Sequence, residues 1–260
     1  MTDSLNSTSF VKALSQFTDP YERYARLYPS LIAILPFVVM ILTLYQENLA
    51  LLHLGFISVL SCGGLFLLSD IARRRGKMKE KKLWQKWGGI PSTQVLRHND
   101  DSFDAISTVR YHQILSNKMG QQFPTLRDEA RDPINADGIY TAAGNFLRNA
   151  TRDKKKYPLI FNDNISYGFR RNGYGLKVIG IVISLICLLW VFIRTNIQTW
   201  HVRIETSHSI ESILNIGEWS TVVFSLCMIV VWLFAFTELA VREAAFSYAK
   251  TLISTCESLR

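Results

Sequence analysis

The sequence predicts an all-α membrane protein. Four transmembrane helices carry a mainly helical cytoplasmic domain inserted between helices 2 and 3. Three observations predict this. The 260 residues have a mean hydropathy of only +0.12, yet their apolar residues gather into four separated runs. The longest polar stretch between those runs, 71–177, holds 21 Lys or Arg against 10 Asp or Glu. Within that stretch, helix-starting and helix-ending residues recur at the spacing of short helices.

A membrane-crossing helix needs about 17–25 largely apolar residues. The first run, Leu31 to Tyr45, is extended by Pro29 and Ser30 and contains Pro36. The second, Leu49 to Ser69, has His53 as its one ionisable residue, near its outer end. The third is Leu176 to Ile193 and the fourth Trp219 to Thr237, ending at Glu238. Residues 1–28 are polar and aromatic rather than basic and then apolar, so both early runs are read as retained spans and not as a cleaved leader. Lys and Arg concentrate on the cytoplasmic side of membrane proteins. The cluster Arg73, Arg74, Arg75, Lys77, Lys79, Lys81, Lys82 directly follows the second run, whereas the 194–218 loop holds two basic and three acidic residues. The expected topology is a multi-pass membrane protein with both termini cytoplasmic. Its parts are a cytoplasmic N-terminal amphipathic segment (1–28), a transmembrane hairpin (29–70), a basic cytoplasmic domain (71–175), a second transmembrane hairpin (176–238) and a cytoplasmic C-terminal amphipathic helix (239–260).

Local signals place the smaller elements. Asp19-Pro20-Tyr21-Glu22 starts a short interfacial helix over Tyr21 to Tyr28 that leads into span one. Span two is expected to continue as one helix from about Leu49 to Trp87, stopped by Gly88-Gly89 and Pro91. Asp104 to Met119 reads as a helix ending before Gly120, Thr125 as the cap of a short helix before Pro133, and Ala136 to Ala150 as a third helix. On that third helix Ile139, Ala143, Phe146, Leu147 and Ala150 form the expected buried side. Tyr157 to Phe161 reads as a strand or a buried turn. Ala245, Ala249, Leu252, Ile253, Cys256 and Leu259 form an apolar stripe that needs a covering surface. The domain's own aliphatic content makes a thin core, so it is expected to lean on the ends of spans two and four or on neighbouring subunits.

The chemistry-bearing motifs exclude more than they assign. The chain has no GxSxG, GxxxxGK[ST] or HExxH motif. Pro133-Ile134-Asn135-Ala136-Asp137-Gly138 has the middle of a calcium loop but lacks its first and twelfth ligands. His98 and His112 have no second ligand at metal spacing, and Cys62, Cys187, Cys227 and Cys256 form no CxxC pair. Trp87-Gly88-Gly89-Ile90-Pro91-Ser92-Thr93 lacks the lysine of a phosphate loop and reads as a turn. No catalytic constellation, metal centre or cofactor is expected. Small residues in span two, Gly55, Ser58, Cys62 and Ser69, suit close helix packing or the lining of a narrow pore. Asp70 and Glu238, at the inner boundary, are candidates for helix-end salt bridges or for a gate. Arg148, Arg152, Lys154, Lys155 and Lys156, with Arg170 and Arg171, stand among aromatic residues. Cations beside rings serve phosphate and base recognition, as in nucleotide or single-stranded oligonucleotide binding, and equally an interfacial belt. The stretch 163–177, DNISYGFRRNGYGLK, surrounds Arg170-Arg171 with glycines in a hinge-like arrangement.

Four spans, cytoplasmic termini and a cytoplasmic domain of about 100 residues resemble the four-transmembrane effectors of bacterial anti-phage defence systems, Hailong-type channels among them. The resemblance is one of architecture and carries no residue across. It implies a homo-oligomer, a tetramer or similar, that acts as an ion channel or membrane-disrupting effector under a nucleotide or oligonucleotide signal. A different expectation rests on the C-terminal amphipathic helix: a non-catalytic membrane scaffold or sensor recruiting a soluble partner.

Overall fold

The computed structural model describes residues 19–48, 63–195, 205 and 213–259. Every element among them is helical: α1 (Glu22–Leu44), α2 (Gly64–Trp87), α3 (Pro91–Gln94), α4 (Ala105–Met119), α5 (Leu126–Arg131), α6 (Pro133–Ala150), α7 (Pro158–Arg194), α8 (Ile216–Phe234) and α9 (Glu238–Ser254). Three of these, α1, α7 and α8, are long and apolar enough to cross a membrane. Most of the second apolar run, with His53, Gly55, Ser58 and Cys62, lies outside the described residues. The expected unbroken helix from Leu49 to Trp87 is not formed. Gly63 adopts φ +84°, a left-handed value incompatible with helix, and α2 begins after it. The chain divides into two compact units, 1–77 with 171–237 and 78–170 with 238–260.

The first unit contains α1, α8, the start of α2 and most of α7. The interfacial helix and span one expected as separate pieces are one helix. Its opening turns, Glu22–Leu27, are wound as a π-helix. The cause is Pro29: a proline has no N–H to give the carbonyl four residues back, and its ring crowds that carbonyl. The freed oxygen of Ala25 is taken instead by Asn172 Nδ2 of α7 at 2.6 Å. Asn172 is 0% exposed, and its Oδ1 accepts from Arg171 Nε at 3.2 Å.

Stretch 163–177, read from sequence as hinge-like, is helical interior of α7. Gly173 and Gly175 serve packing. A Cβ on Gly175 would lie 2.5 Å from the backbone nitrogen of Gly76 on α2, and one on Gly173 would overlap the Phe236 ring. Further along, Gly180 is roofed by the Trp232 indole of α8. The inward face of α7 continues through Ser184, Cys187 and Val191, while Val182, Leu185, Ile186 and Leu189 point outward. On α8 the buried face is Gly217, Thr221, Ser225, Met228 and Trp232, a 4-4-3-4 spacing. Small and polar residues thus occupy much of the buried faces, with Met228 and Trp232 filling against them, and the outward faces are apolar, as suits packing within lipid. Thr43 of α1 and Thr221 of α8 share a 2.9 Å hydroxyl hydrogen bond. The α8 N-terminus is closed by a capping box between Asn215 and Glu218.

The second unit is built around a core of Val95, Leu96, Tyr111, Leu115, Tyr140 and Leu147. Caps expected from sequence are present: Asp104 accepts from Ser107 N–H at 2.9 Å, Gly120 takes φ +62° at the end of α4, and Thr125 with Asp128 forms a capping box. The buried face of α6 is Ala136, Tyr140, Ala143, Gly144 and Leu147. It is rotated from the expected one: Ile139 is only half-buried and Ala150 is exposed, because the elements packed on α6 cover the Tyr140 side instead; the helix itself starts three residues early, at Pro133, where Asp132 caps it. Tyr157 to Phe161 forms no strand; Tyr157 precedes α7 and the rest is its first turn. Within WGGIPST the turn is residues 88–90, between the end of α2 and the short helix α3: Gly88 and Gly89 have φ +90° and +137°, and the carbonyl of Gly88 accepts from Arg97 at 2.9 Å. The stripe of α9 is covered. Ala249, Leu252, Ile253 and Cys256 belong to the same core, and Arg110 pairs with Glu257 at 2.8 Å. Burial there pushes the Cys256 thiol up to about 12.

His112 is buried in this core. Its Nε2 lies 2.8 Å from the Leu96 carbonyl and its ring stacks on Tyr140. The Tyr140 hydroxyl donates to Glu129 at 2.7 Å, and burial raises its pKa strongly. Desolvation lowers the His112 pKa from its ordinary 6.5, with the His98 ring 4.9 Å away acting in the same direction and Glu129 opposing. The folded chain therefore resists a proton that the unfolded chain accepts, and stability falls as pH drops through about 6.5.

Two outcomes follow from this packing. In chemical denaturation of the detergent-solubilised chain, Gly175→Ala and Asn172→Ala each lower stability by about 1–3 kcal/mol. Gly138→Ala, at an exposed helical site with open space around it, raises it by about 0.5–1 kcal/mol. Thermal melts of the wild type lose midpoint temperature between about pH 7 and about pH 5, and His112→Gln flattens that slope.

Candidate functional site

A cavity of about 290 Å³ lies within the second unit, walled by α2, α3, α6, α7 and α9. Its chemistry comes from Trp84, Tyr167, Tyr248, Glu80, Arg148 and Asn164. Each reaches it for a local reason. Glu80 and Trp84 stand four residues apart on α2 and share a face. Arg148 occupies the last turn of α6, where a cation complements the helix dipole. Tyr248 projects from the covered side of α9 as its neighbour Ala249 enters the core.

The site combines rings with charges of both signs. The Tyr167 and Tyr248 rings are nearly parallel, 11° apart in tilt and 6.3 Å between centres. The Tyr167 hydroxyl donates to Glu80 Oε1 at 2.6 Å, and both residues are buried. Arg148 Nη1 donates to the buried Ser92 hydroxyl at 3.2 Å and Nη2 to Asn145 at 2.6 Å. Both partners are neutral, and Arg148 makes no ion pair among the described residues. Trp84 Nε1 is buried with no hydrogen-bond partner, an orphaned donor that an acceptor entering the cavity would satisfy. Such a set has the chemistry to meet a small planar group with its rings and a negative charge with Arg148.

Of the seven basic residues singled out from sequence, Arg148 alone lines this cavity. Arg152 is exposed and donates to Asn149 at 2.8 Å. Lys154 lies 4.9 Å above the Phe161 ring, Lys156 lies 5.2 Å above Tyr157, and Lys155 is exposed. Arg170 faces Glu243 at 4.0 Å and the Ala240 carbonyl. Arg171 belongs to the other unit and is buried beside Asn172. The two boundary acids belong to different units. Asp70 pairs with Arg74 at 2.6 Å rather than with Arg73. Glu238 pairs with Lys86 at 2.8 Å and accepts from Trp87 Nε1 at 3.3 Å. The Lys86 hydrogen bond holds the Glu238 carboxyl below its ordinary value, with Trp87 and Arg242 adding smaller effects. Of the four small residues of span two, Ser69 is described; it is buried in the first unit. The sequence reading missed Glu80, Trp84, Tyr167 and Tyr248. The available signal was the paired Trp84 and Trp87 inside the lysine-rich half of α2.

No protein-family profile matches the chain, and no curated protein or solved structure matches it.

The Tyr167–Glu80 bond generates a measurable expectation. Tyr167→Phe removes a donor to a buried carboxylate and lowers stability by about 1.5–3 kcal/mol. Urea denaturation in detergent, followed by tryptophan fluorescence, reads the change.

Proposed function

We propose that the protein is a homo-oligomeric membrane channel or pore-forming effector, and that an anionic ligand gates it through the basic unit. The observation that carries this is the Arg148 cavity: an uncompensated guanidinium, parallel tyrosine rings and an orphaned indole N–H in one pocket. Nucleotide signals and short single-stranded oligonucleotides have the matching chemistry, a phosphate for the guanidinium and a planar base for the rings. Two helices support transmission. α2 and α7 each contribute residues to both units, and α7 is unbroken across the boundary. The proposed setting is the bacterial inner membrane, as the architectural resemblance implies; the distribution of Lys and Arg supports placing the basic unit and both termini on the cytoplasmic side. The covered stripe of α9 removes the main support for a scaffold that recruits a partner through that helix.

The test is ion flux from proteoliposomes holding the purified full chain. The panel is mononucleotides, cyclic dinucleotides and short single-stranded DNA and RNA. One class changes flux through the wild type, and Arg148→Gln moves its half-maximal concentration by about tenfold, the effect of losing one charge-assisted hydrogen bond. Absence of flux under every ligand condition overturns the channel.

A further inference from the structure

The first unit contains a second cavity, about 340 Å³, between the opening turns of α1 and the start of α2. Asp19, Glu22 and Arg26 line it from one side, and Ser69, Asp70 and Arg73 from the other. Carboxylates and guanidiniums are interleaved rather than segregated. Arg26 is paired with Glu22, and Asp70 with Arg74 at 2.6 Å. Arg73 is exposed and makes no ion pair among the described residues. Two buried polar atoms at this cavity have no partner: the hydroxyl of Ser69, a residue 5% exposed, and Arg26 Nε. Buried orphans of this kind mark a place where a polar ligand completes the hydrogen bonding.

The surroundings say what sort of ligand. Phe66 lines the cavity and is 49% exposed, and the adjoining Leu67 is 60% exposed. The apolar run of α1 follows Arg26, and Tyr24 and Tyr28 stand exposed beside it, packed edge to face at 5.0 Å. Aromatic residues at the foot of an apolar helix mark headgroup depth. The site is therefore charged in both senses, at the depth of a lipid headgroup, with an apolar wall leading away. Among the described residues no group of three or more His, Cys, Asp or Glu side chains could hold a metal ion.

We propose that this cavity binds the headgroup of a zwitterionic phospholipid bearing a primary amine. The phosphate meets Arg73, Arg26 and the Ser69 hydroxyl, and the ammonium donates to Asp70 and Asp19. A site of this design discriminates by charge and by N–H count. Phosphatidylglycerol has the phosphate without the ammonium. Phosphatidylcholine has the positive charge but no N–H to donate. Phosphatidylethanolamine satisfies both sides.

Native mass spectrometry of the detergent-purified full chain, titrated with each of the three lipids, tests this. Phosphatidylethanolamine binds about tenfold more tightly than either of the others. Asp70→Asn erases its margin over phosphatidylglycerol. Arg73→Gln, at an exposed position that leaves the fold unchanged by circular dichroism, weakens it by about tenfold. Equal binding of the three lipids overturns the proposal. So does a phosphatidylglycerol preference, which would mean a plain basic surface, or a phosphatidylethanolamine preference that survives both substitutions.

Discussion

At Asn172 three helices are tied together by one amide. Pro29 cannot supply the hydrogen bond that the Ala25 carbonyl would receive in a regular helix, and Asn172 supplies it from α7. The same residue presses against α2, where a Cβ on Gly76 would come within 3.0 Å of the Asn172 Cα. The proline, the asparagine and the glycine are a matched set. A residue with an N–H at 29 would compete with the buried amide for the Ala25 carbonyl, and a larger residue at 76 would push α7 away. An unsatisfied amide in an apolar setting costs about as much as many small packing gains together, so the crossing of α1, α2 and α7 is fixed in register as well as in distance.

The rest of the first unit follows from that close approach. With α7 held against α2, its glycine face continues to the aromatic residues Phe236 and Trp232, which fill what the missing side chains leave. The stacked Trp232 and Phe236 rings, 4.6 Å apart, are the bulk on the other side of the contact. Hydroxyls inside this unit mostly turn back onto their own helices, as Ser184 does to Gly180 and Thr221 to Gly217, so little polar surface is presented outward. The second unit instead closes around a compact apolar core of Val95, Leu96, Leu115, Tyr140 and Leu147, with Arg97–Asp137 tying the turn after α2 to α6 at 2.7 Å.

Helical class, caps and stops could be read from sequence because they depend on near neighbours. Asp104, Gly120, Thr125 and Gly88-Gly89 all act within four residues of themselves. What could not be read depends on distant partners. Gly168, Gly173 and Gly175 look like a flexible joint until Gly76 and Phe236 are placed beside the latter two. Arg170 and Arg171 look like a paired site until helical geometry turns them about 100° apart, one toward α9 and the other into the first unit. The rotation of α6 was missed by the same logic, since Ile139 and Tyr140 are both credible core residues and only the covering helices choose between them. Of the cavity near Arg148, sequence indicated the cation; its rings arrive from three helices spread over positions 84 to 248.

The covered stripe of α9 sets an order of events during synthesis. The core that Val95, Leu115, Tyr140 and Leu147 begin to form is closed by Leu252 and Ile253, and between those two sets the ribosome makes α7 and α8. The membrane-inserting segments are therefore handled while the basic unit still lacks a wall. The nascent chain carries an open apolar surface through that interval, the kind of surface that chaperones hold and proteases inspect. A chain that never brings α9 to this core leaves it open. Completion of the core thus waits until both long apolar helices, α7 and α8, have been made.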